Sequence, residues 1–236
     1  MTILYEDQYL MIADKPSGVL SEANDSAPSL PLLLQKELGL KVTPHPVHRL
    51  DREVGGAMLL AKTGEAMAAL SRLASQGLLQ KEYFAVTEGV PTIPMGNLTD
   101  LLFKQASNNK TFVVKRMRHG VKEARLSYKI IGQAEFEGKT LALLSVIPQT
   151  GRTHQIRVQF ASRHLSLVGD GKYGGHLNLP LGLMCRALSF EHPFFKRQIE
   201  VTAPVRDTPP FSLPFSKDGE PLSLSNIPLF YANTVI

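Results

Sequence analysis

The side chains best equipped for chemistry in this sequence are one acid, Asp51, one phenol, Tyr83, and the guanidiniums of Arg152 and Arg157. Asp51 stands two residues after Arg49 in the stretch PVHRLDREVGGAMLLAKT, residues 46–63, where a Gly pair leads into an apolar run. A carboxylate that works as nucleophile or base near neutral pH gains from a neighbouring cation, which keeps it ionised while burial pushes the other way. An aromatic side chain beside it could stack on a planar substrate. Spacing alone does not bring these groups together, and an isolated R-x-D reads equally well as a solvated surface pair of small energetic weight.

Loops carried by a buried scaffold hold chemistry in place while staying accessible, so the elements flanking Asp51 come next. Pro44 and Pro46 force extended backbone into the turn with Arg49 and Asp51. Residues 56–61 are a short apolar run suited to a buried strand, and residues 65–76 have helical period, with Met67, Leu70 and Leu73 on one side and Gly77 as the stop. The β-branched and aromatic content of KEYFAVT, residues 81–87, predicts a strand that carries Tyr83. Upstream, residues 3–5 and 9–13 read as strands around an Asp7 turn, ending at the breaker cluster Lys15-Pro16-Ser17-Gly18. Ser29 is a good N-cap, Pro31 suits a first turn, and Leu30, Leu33, Leu34 and Leu38 make an apolar face that stops at Gly39, which predicts a helix.

From residue 98 to 148 the pattern is hairpin-like, with strands expected at 111–115, 124–131 and 140–147. In PQTGRTHQIRVQFASR, residues 148–163, Thr153 could cap a helix with Ile156 and Phe160 on one face. Ile156, Val158 and Phe160 also alternate as in a strand; both readings stand, and the helix is favoured. Strands follow at 183–190 and 198–202. Six prolines from Pro204 onward and a loss of periodicity suggest an extended tail. The expected organisation is a catalytic domain over residues 1–204 with a tail, residues 205–236, packed on it.

With 236 residues, 43% hydrophobic and 20% charged, the chain can bury a full core without staples. Its one cysteine, Cys185, cannot form an internal disulfide or a multi-cysteine metal site, which fits a reducing, cytoplasmic setting. The first residues lack the pattern of a signal peptide and nothing is long enough to span a membrane, so no membrane partner is expected. His45, His48 and Asp51 sit at i, i+3 and i+6, but Pro46 between the histidines argues against a helix that would gather them as ligands. No metal is therefore expected. A nucleotide cofactor has no Gly-rich support, and no serine stands in a nucleophile-elbow context.

The formal net charge of +5 makes a polyanionic partner plausible. Between Lys104 and Lys129 eight basic residues, among them Arg116 and Arg118, face one acid, Glu123. That excess could neutralise several phosphates, or form a solvated face.

Five stretches, in order, carry a resemblance to a known family. HRLDREVGG resembles the H-R-L-D-x-x-T/S-G motif of the RluA-type pseudouridine synthases, with Asp51 in the place of the catalytic aspartate. ADKPSG at 13–18 is similar to their K-P-x-G segment, KEYFA at 81–85 to K-x-Y-x-A, TGRTHQIRV at 150–158 to a further motif, and residues 168–174 to V-G-D-x-x-Y-G. Val54 departs from the usual Thr or Ser, and Gln159 from a common His. The resemblance implies an α+β fold whose mixed, mostly antiparallel sheet, flanked by helices and loops, is split by a basic cleft with the Asp51 loop on its floor. It implies that Asp51 starts glycosidic-bond chemistry, that Arg157 pairs with its carboxylate, and that Tyr83 stacks on the uracil. Arg49 would displace the flipped nucleotide, with His48, Arg152, Ile156, Arg116 and Arg118 as further substrate contacts. The expectation is a monomeric isomerase acting on ribosomal or transfer RNA with no cofactor. A non-catalytic RNA-binding or folding factor is the alternative, and a metal-dependent hydrolase using His45 and His48 a distant third.

Overall fold

The computed structural model describes residues 1–230. In chain order these form β1 (Ile3–Glu6), β2 (Leu10–Lys15), α1 (Leu30–Leu38), β3 (His45–Pro46), β4 (Gly55–Ala61), α2 (Gly64–Ser75), β5 (Gln80–Glu88), β6 (Met95–Gln105) and β7 (Lys110–Val114). They continue with β8 (Val121–Phe136), β9 (Lys139–Pro148), α3 (Gln155–Ala161), β10 (Leu183–Glu191), β11 (Gln198–Thr202), β12 (Ser216–Lys217) and β13 (Glu220–Pro221). Strands dominate and the three helices are short, so the expected α+β class holds. The chain divides into two compact units, Met1–Lys81 with Met184–Pro204, and Glu82–Leu183 with the described residues from Val205 onward.

In the first unit β4 is the central strand. It is buried along its whole length because it is apolar on both faces, GGAMLLA. β2 runs antiparallel to it from Leu10↔Ala61 to Lys15↔Gly56, and β1 flanks β2. On its other side β10 pairs in parallel, Met184↔Gly55 and Cys185↔Gly56, and β11 continues antiparallel from β10. The parallel approach needs a glycine: at Gly56 φ is +113° and an added Cβ would lie 2.1 Å from the Cys185 carbonyl oxygen. α1 buries Leu30, Pro31 and Leu34 and ends on Gly39 in the left-handed region, whose N–H reaches the Gln35 carbonyl. Ser29 does occupy the N-cap in extended backbone, yet its hydroxyl caps nothing. An N-cap oxygen needs the N–H of the second or third helical residue, and the second is Pro31, which has none. Thr63 does cap α2, accepting from the Ala66 N–H at 3.1 Å.

The second unit is an antiparallel sheet in the order β5, β9, β8, β6, β7. β6 is a long strand that the sequence pattern did not announce: MGNLTDLLFKQ buries only Leu98 and Leu102, four residues apart, so neither alternation nor a β-branched run marks it. β8 is longer than expected, spanning Val121–Phe136 through a register shift between Ile130 and Gly132. At residues 148–163 the helix wins over the strand, but it begins after His154 rather than Thr153. Gln155, the first helical residue, ties this start to its surroundings, its Oε1 accepting from the Arg152 N–H at 3.1 Å and its Nε2 donating to the Arg125 carbonyl. The proline-rich tail is more than a drape: it adds the β12–β13 hairpin to β8 at Ser216↔Gln133 and buries Phe211, Phe215, Ile227 and Phe230. Residues 231–236 of that tail lie outside the described residues.

Candidate active site

The Asp51 loop is short and fastened on both sides of the aspartate. β3 runs antiparallel to the end of β4, the Val47 N–H continues the ladder to the Leu59 carbonyl, and the loop turns back through a Val54 N–H to Asp51 carbonyl bond of 3.0 Å. Just before Asp51, the buried Ser21 hydroxyl donates to the Leu50 carbonyl at 2.7 Å and accepts from the Leu50 N–H at 2.9 Å. Just after it, Lys15 is fully buried and its ammonium donates to the carbonyls of Pro16, Val19 and Arg52. Ser17 donates to the Glu53 carbonyl at 2.7 Å, and Arg52 exchanges bonds with Gly18 in both directions. The segment 15–21 is thus a clamp on residues 50–53. A buried ammonium needs such partners, and the three carbonyls tie it to the loop. Asp51 itself is half-buried.

His48, expected to touch substrate, belongs to this scaffold. It is buried and its Nε2 accepts from the Leu59 N–H at 3.1 Å. Burial, reinforced by the nearby charge of Lys81, pushes its pKa down to about 3, so the ring is neutral at physiological pH. Burial likewise depresses the Lys81 ammonium below its ordinary value. Val54, where the resemblance leads one to expect a hydroxyl, is 2% exposed and leaves no buried polar atom to satisfy. Arg49 is at the surface, its side chain 70% exposed and paired with the also exposed Glu22 at 3.0 Å.

In the second unit Tyr83 lies on β5, 8% exposed and opposite Val146 of β9. Its neighbour Glu82 points to the other face and accepts from the Ser145 hydroxyl and the Phe230 N–H. Arg157 projects from α3 into a bidentate pair with Asp170, Nε to Oδ2 and Nη2 to Oδ1, both at 2.7 Å. Asp170 is the functional candidate that residue-level reasoning missed, although it sits inside the 168–174 loop whose motif was noticed. Tyr173 of the same loop accepts from the Thr111 N–H and meets His154 Nδ1, each at 2.8 Å, while the Arg157 guanidinium lies 5.3 Å from its ring centre. Burial raises the Tyr173 pKa, which keeps the hydroxyl protonated. The loop is pinned further on by Glu88, whose Oε1 accepts from the N–H groups of His176 and Leu177 and whose Oε2 takes the Lys139 ammonium. Hydrogen bonds from Lys139 and those two amides hold Glu88 below the usual carboxylate range against the opposing effect of burial.

The remaining candidates separate by exposure. Ile156 is buried in α3. Arg152 is exposed and its Nε reaches the Glu123 carbonyl at 3.0 Å. Arg116 and Arg118 lie in the open turn after β7, with the Arg118 guanidinium 5.0 Å from the Phe103 ring centre. Gln159, in the place of the common His, is buried and donates to Asp100 at 2.7 Å. Among the described residues no cluster of His, Cys, Asp or Glu is placed to hold a metal ion, and no helix is long and apolar enough to cross a membrane.

The family model of RNA pseudouridylate synthase matches residues 9–162, which include the Asp51 loop, Tyr83 and Arg157. The chain belongs to the RNA pseudouridylate synthase family. These are isomerases acting on RNA, so the expectation from the five motifs is borne out at that level. An uncharacterised RNA pseudouridine synthase of Zymomonas mobilis is 36% identical over 177 residues, 74% of this chain and 78% of that protein. Ribosomal large subunit pseudouridine synthase D of Xanthomonas campestris is 30% identical over 87% of this chain and 66% of its own length. Synthase C of Buchnera aphidicola is 30% identical over 86% of this chain and 67% of its own. The fold is shared with human RNA pseudouridylate synthase domain containing 4 (TM-score 0.70, 24% identity, 89% of each chain) and domain containing 1 (TM-score 0.73, 19% identity, 86% and 82%).

Proposed function

We propose that this chain converts uridine to pseudouridine in ribosomal RNA, with Asp51 as the residue that opens the glycosidic bond. The observation that carries the reading is the clamp on both sides of Asp51: a carboxylate half-open to its surroundings is held by Ser21 before it and Lys15 after it. A surface turn of no consequence does not need a buried ammonium to fix it. The target class is supported by the ribosomal large subunit synthases among the relatives, and the enzyme is taken to act as a cytoplasmic monomer.

A base in a stem must leave its stack before the ribose carbon can be approached, at a cost of a few kcal/mol, offset by stacking on an aromatic side chain and by phosphate contacts. In this reading Arg49 fills the vacated place, and the exposed Arg116, Arg118 and Arg152 hold backbone phosphates. Asp51 acts at the sugar and the N1–C1′ bond breaks. The uracil is retained and turned against Tyr83, C5 joins C1′, the C5 proton is lost and N1 regains one. Atoms and electrons balance within the substrate. Arg157, oriented by Asp170, is the buried cation of the reading.

The test is purified Asp51→Ala and Asp51→Asn: RNA affinity and unfolding midpoint stay close to the parent while product is lost. Pseudouridine formed by Asp51→Ala overturns the assignment. Mapping pseudouridines in total RNA with and without the gene identifies the target, and loss confined to transfer RNA overturns the ribosomal reading.

A further inference from the structure

The β6–β7 hairpin carries two aromatic residues that its core does not use. Leu102 and Val113, directly cross-strand, face inward and pack with Tyr173, Ala124 and Val158. One residue along each strand, Phe103 and Phe112 are also cross-strand partners and so share the opposite face, where Phe112 remains 37% exposed. Among the described residues β7 pairs with no strand but β6, so this face lies at a sheet edge. Exposed phenylalanines on an edge are ordinarily avoided, because they invite association. Here cations surround them: the Lys110 ammonium stands 5.8 Å from the Phe112 ring centre, and the Arg118 guanidinium 5.0 Å from that of Phe103. The turn that follows, Lys115, Arg116, Met117 and Arg118, borders a cavity of about 380 Å³ with Met117 62% exposed.

Aromatic faces interleaved with cations are what unpaired nucleic acid asks for: the rings accept bases of any identity, and the cations follow the phosphates. The hairpin is also fixed relative to the Arg157 cluster, since the Thr111 N–H donates to the Tyr173 hydroxyl and Lys110 lies 5.3 Å from the Tyr173 ring centre as well as near Phe112. We propose that the Phe103 and Phe112 face of this hairpin is a stacking platform for an unpaired base of the RNA flanking the target uridine. The proposal rests on the synthase reading. A duplex offers no free base face and binds this surface through phosphates alone.

The chain contains no tryptophan, so Phe112→Trp places a single reporter on the platform. Its fluorescence is expected to be quenched by a single-stranded oligoribonucleotide and left nearly unchanged by a fully paired hairpin stem of equal length. Phe112→Val, which keeps a good strand residue, is expected to weaken single-strand binding about 5- to 100-fold. The salt slope should stay at the parent value, because no phosphate contact is lost, whereas Arg118→Ala should lower the slope by about 0.7. In the product assay the effect of Phe112→Val should fall on KM. No quenching of Phe112→Trp, or equal single-strand affinity of Phe112→Val and parent, overturns the platform. A parent protein that makes no pseudouridine, with the quench still seen in Phe112→Trp, would instead overturn the synthase reading and leave the platform standing.

Discussion

Replacing Asp170 by asparagine tests whether one carboxylate sets the geometry of Arg157. The two 2.7 Å bonds run from Nε and Nη2 to separate oxygens, with the Asp170 side chain fully buried and that of Arg157 10% exposed. Asparagine keeps the shape and one acceptor but turns the other oxygen into an N–H₂ group facing guanidinium N–H groups, donor against donor. One charge-assisted bond disappears and a buried cation has one counter-charge fewer. Removing one member of a buried pair costs about 3–5 kcal/mol, well above the roughly 1 kcal/mol of an ordinary hydrogen bond. Asparagine keeps one acceptor for the guanidinium, so the loss should fall near the lower end. Urea unfolding of Asp170→Asn at pH 7 should therefore show about 3 kcal/mol less stability. A guanidinium displaced by about 1 Å should slow single-turnover product formation on the order of 100-fold. The double variant Arg157→Met with Asp170→Leu separates the two effects: an apolar pair of similar volume should recover most of the stability, yet product should remain absent. If Asp170→Asn loses less than about 1 kcal/mol and turns over at the parental rate, Arg157 is positioned by something else and the argument fails.

Lys15→Met should strip the Pro16 and Val19 carbonyls of their donor and lower stability by about 2–5 kcal/mol, with faster hydrogen exchange at the Val54 amide that closes the Asp51 turn; unchanged protection there would mean the clamp is not Lys15. His48 gives a pH dependence. Its folded pKa of about 3 lies below the ordinary 6.5, so under pH 6.5 only the unfolded chain takes the proton and stability falls with acidification. The slope is about 1.4 kcal/mol per pH unit, roughly 2 kcal/mol between pH 7 and pH 5, where the depressed carboxyls of Asp7 and Glu88 do not yet titrate; His48→Gln should flatten that stretch of the urea-stability profile, and an equally steep variant would sink the assignment. Glu88→Gln, which turns an amide N–H₂ towards the Lys139 ammonium, should cost about 1–3 kcal/mol and speed exchange of the His176 and Leu177 amides, with Lys139→Met in combination recovering part of the loss.

Periodicity and breakers carried most of the elements because each rests on a local physical cause. Gly39 ends α1 where a left-handed residue is needed, Thr63 caps α2, and the apolar run of β4 is buried on both faces. β6 escaped because its two buried residues are spaced like a helix's while its length is dictated by pairing with β8 across nine positions. For the candidate site, the motifs mark loops but not the partners within them. That Arg157 is gripped by Asp170, thirteen residues on, is a tertiary fact without a sequence period. For His48 the converse holds: its neighbours Arg49 and Asp51 are charged and lie in a motif, yet burial commits its ring to the Leu59 amide. Only the polarity of Lys15 beside Pro16 hinted at the clamp, since a fully buried lysine is rare enough to require partners.

Burial also explains why two arginines from different motifs are suited to opposite tasks. The Arg49 pair with Glu22 is 70% and 58% exposed, and such a pair contributes about 0–1 kcal/mol. An RNA phosphate can therefore take Arg49 from Glu22 at almost no cost, and the side chain is free to follow a nucleotide that moves. The Arg157 pair is held by two short bonds to a carboxylate with no solvent exposure, and a phosphate cannot compete with it when separation costs about 3–5 kcal/mol. Arg157 is thus protected from competing anions. A cation meant for a carboxylate has to be buried before the RNA arrives, and a cation meant for the RNA has to be left outside.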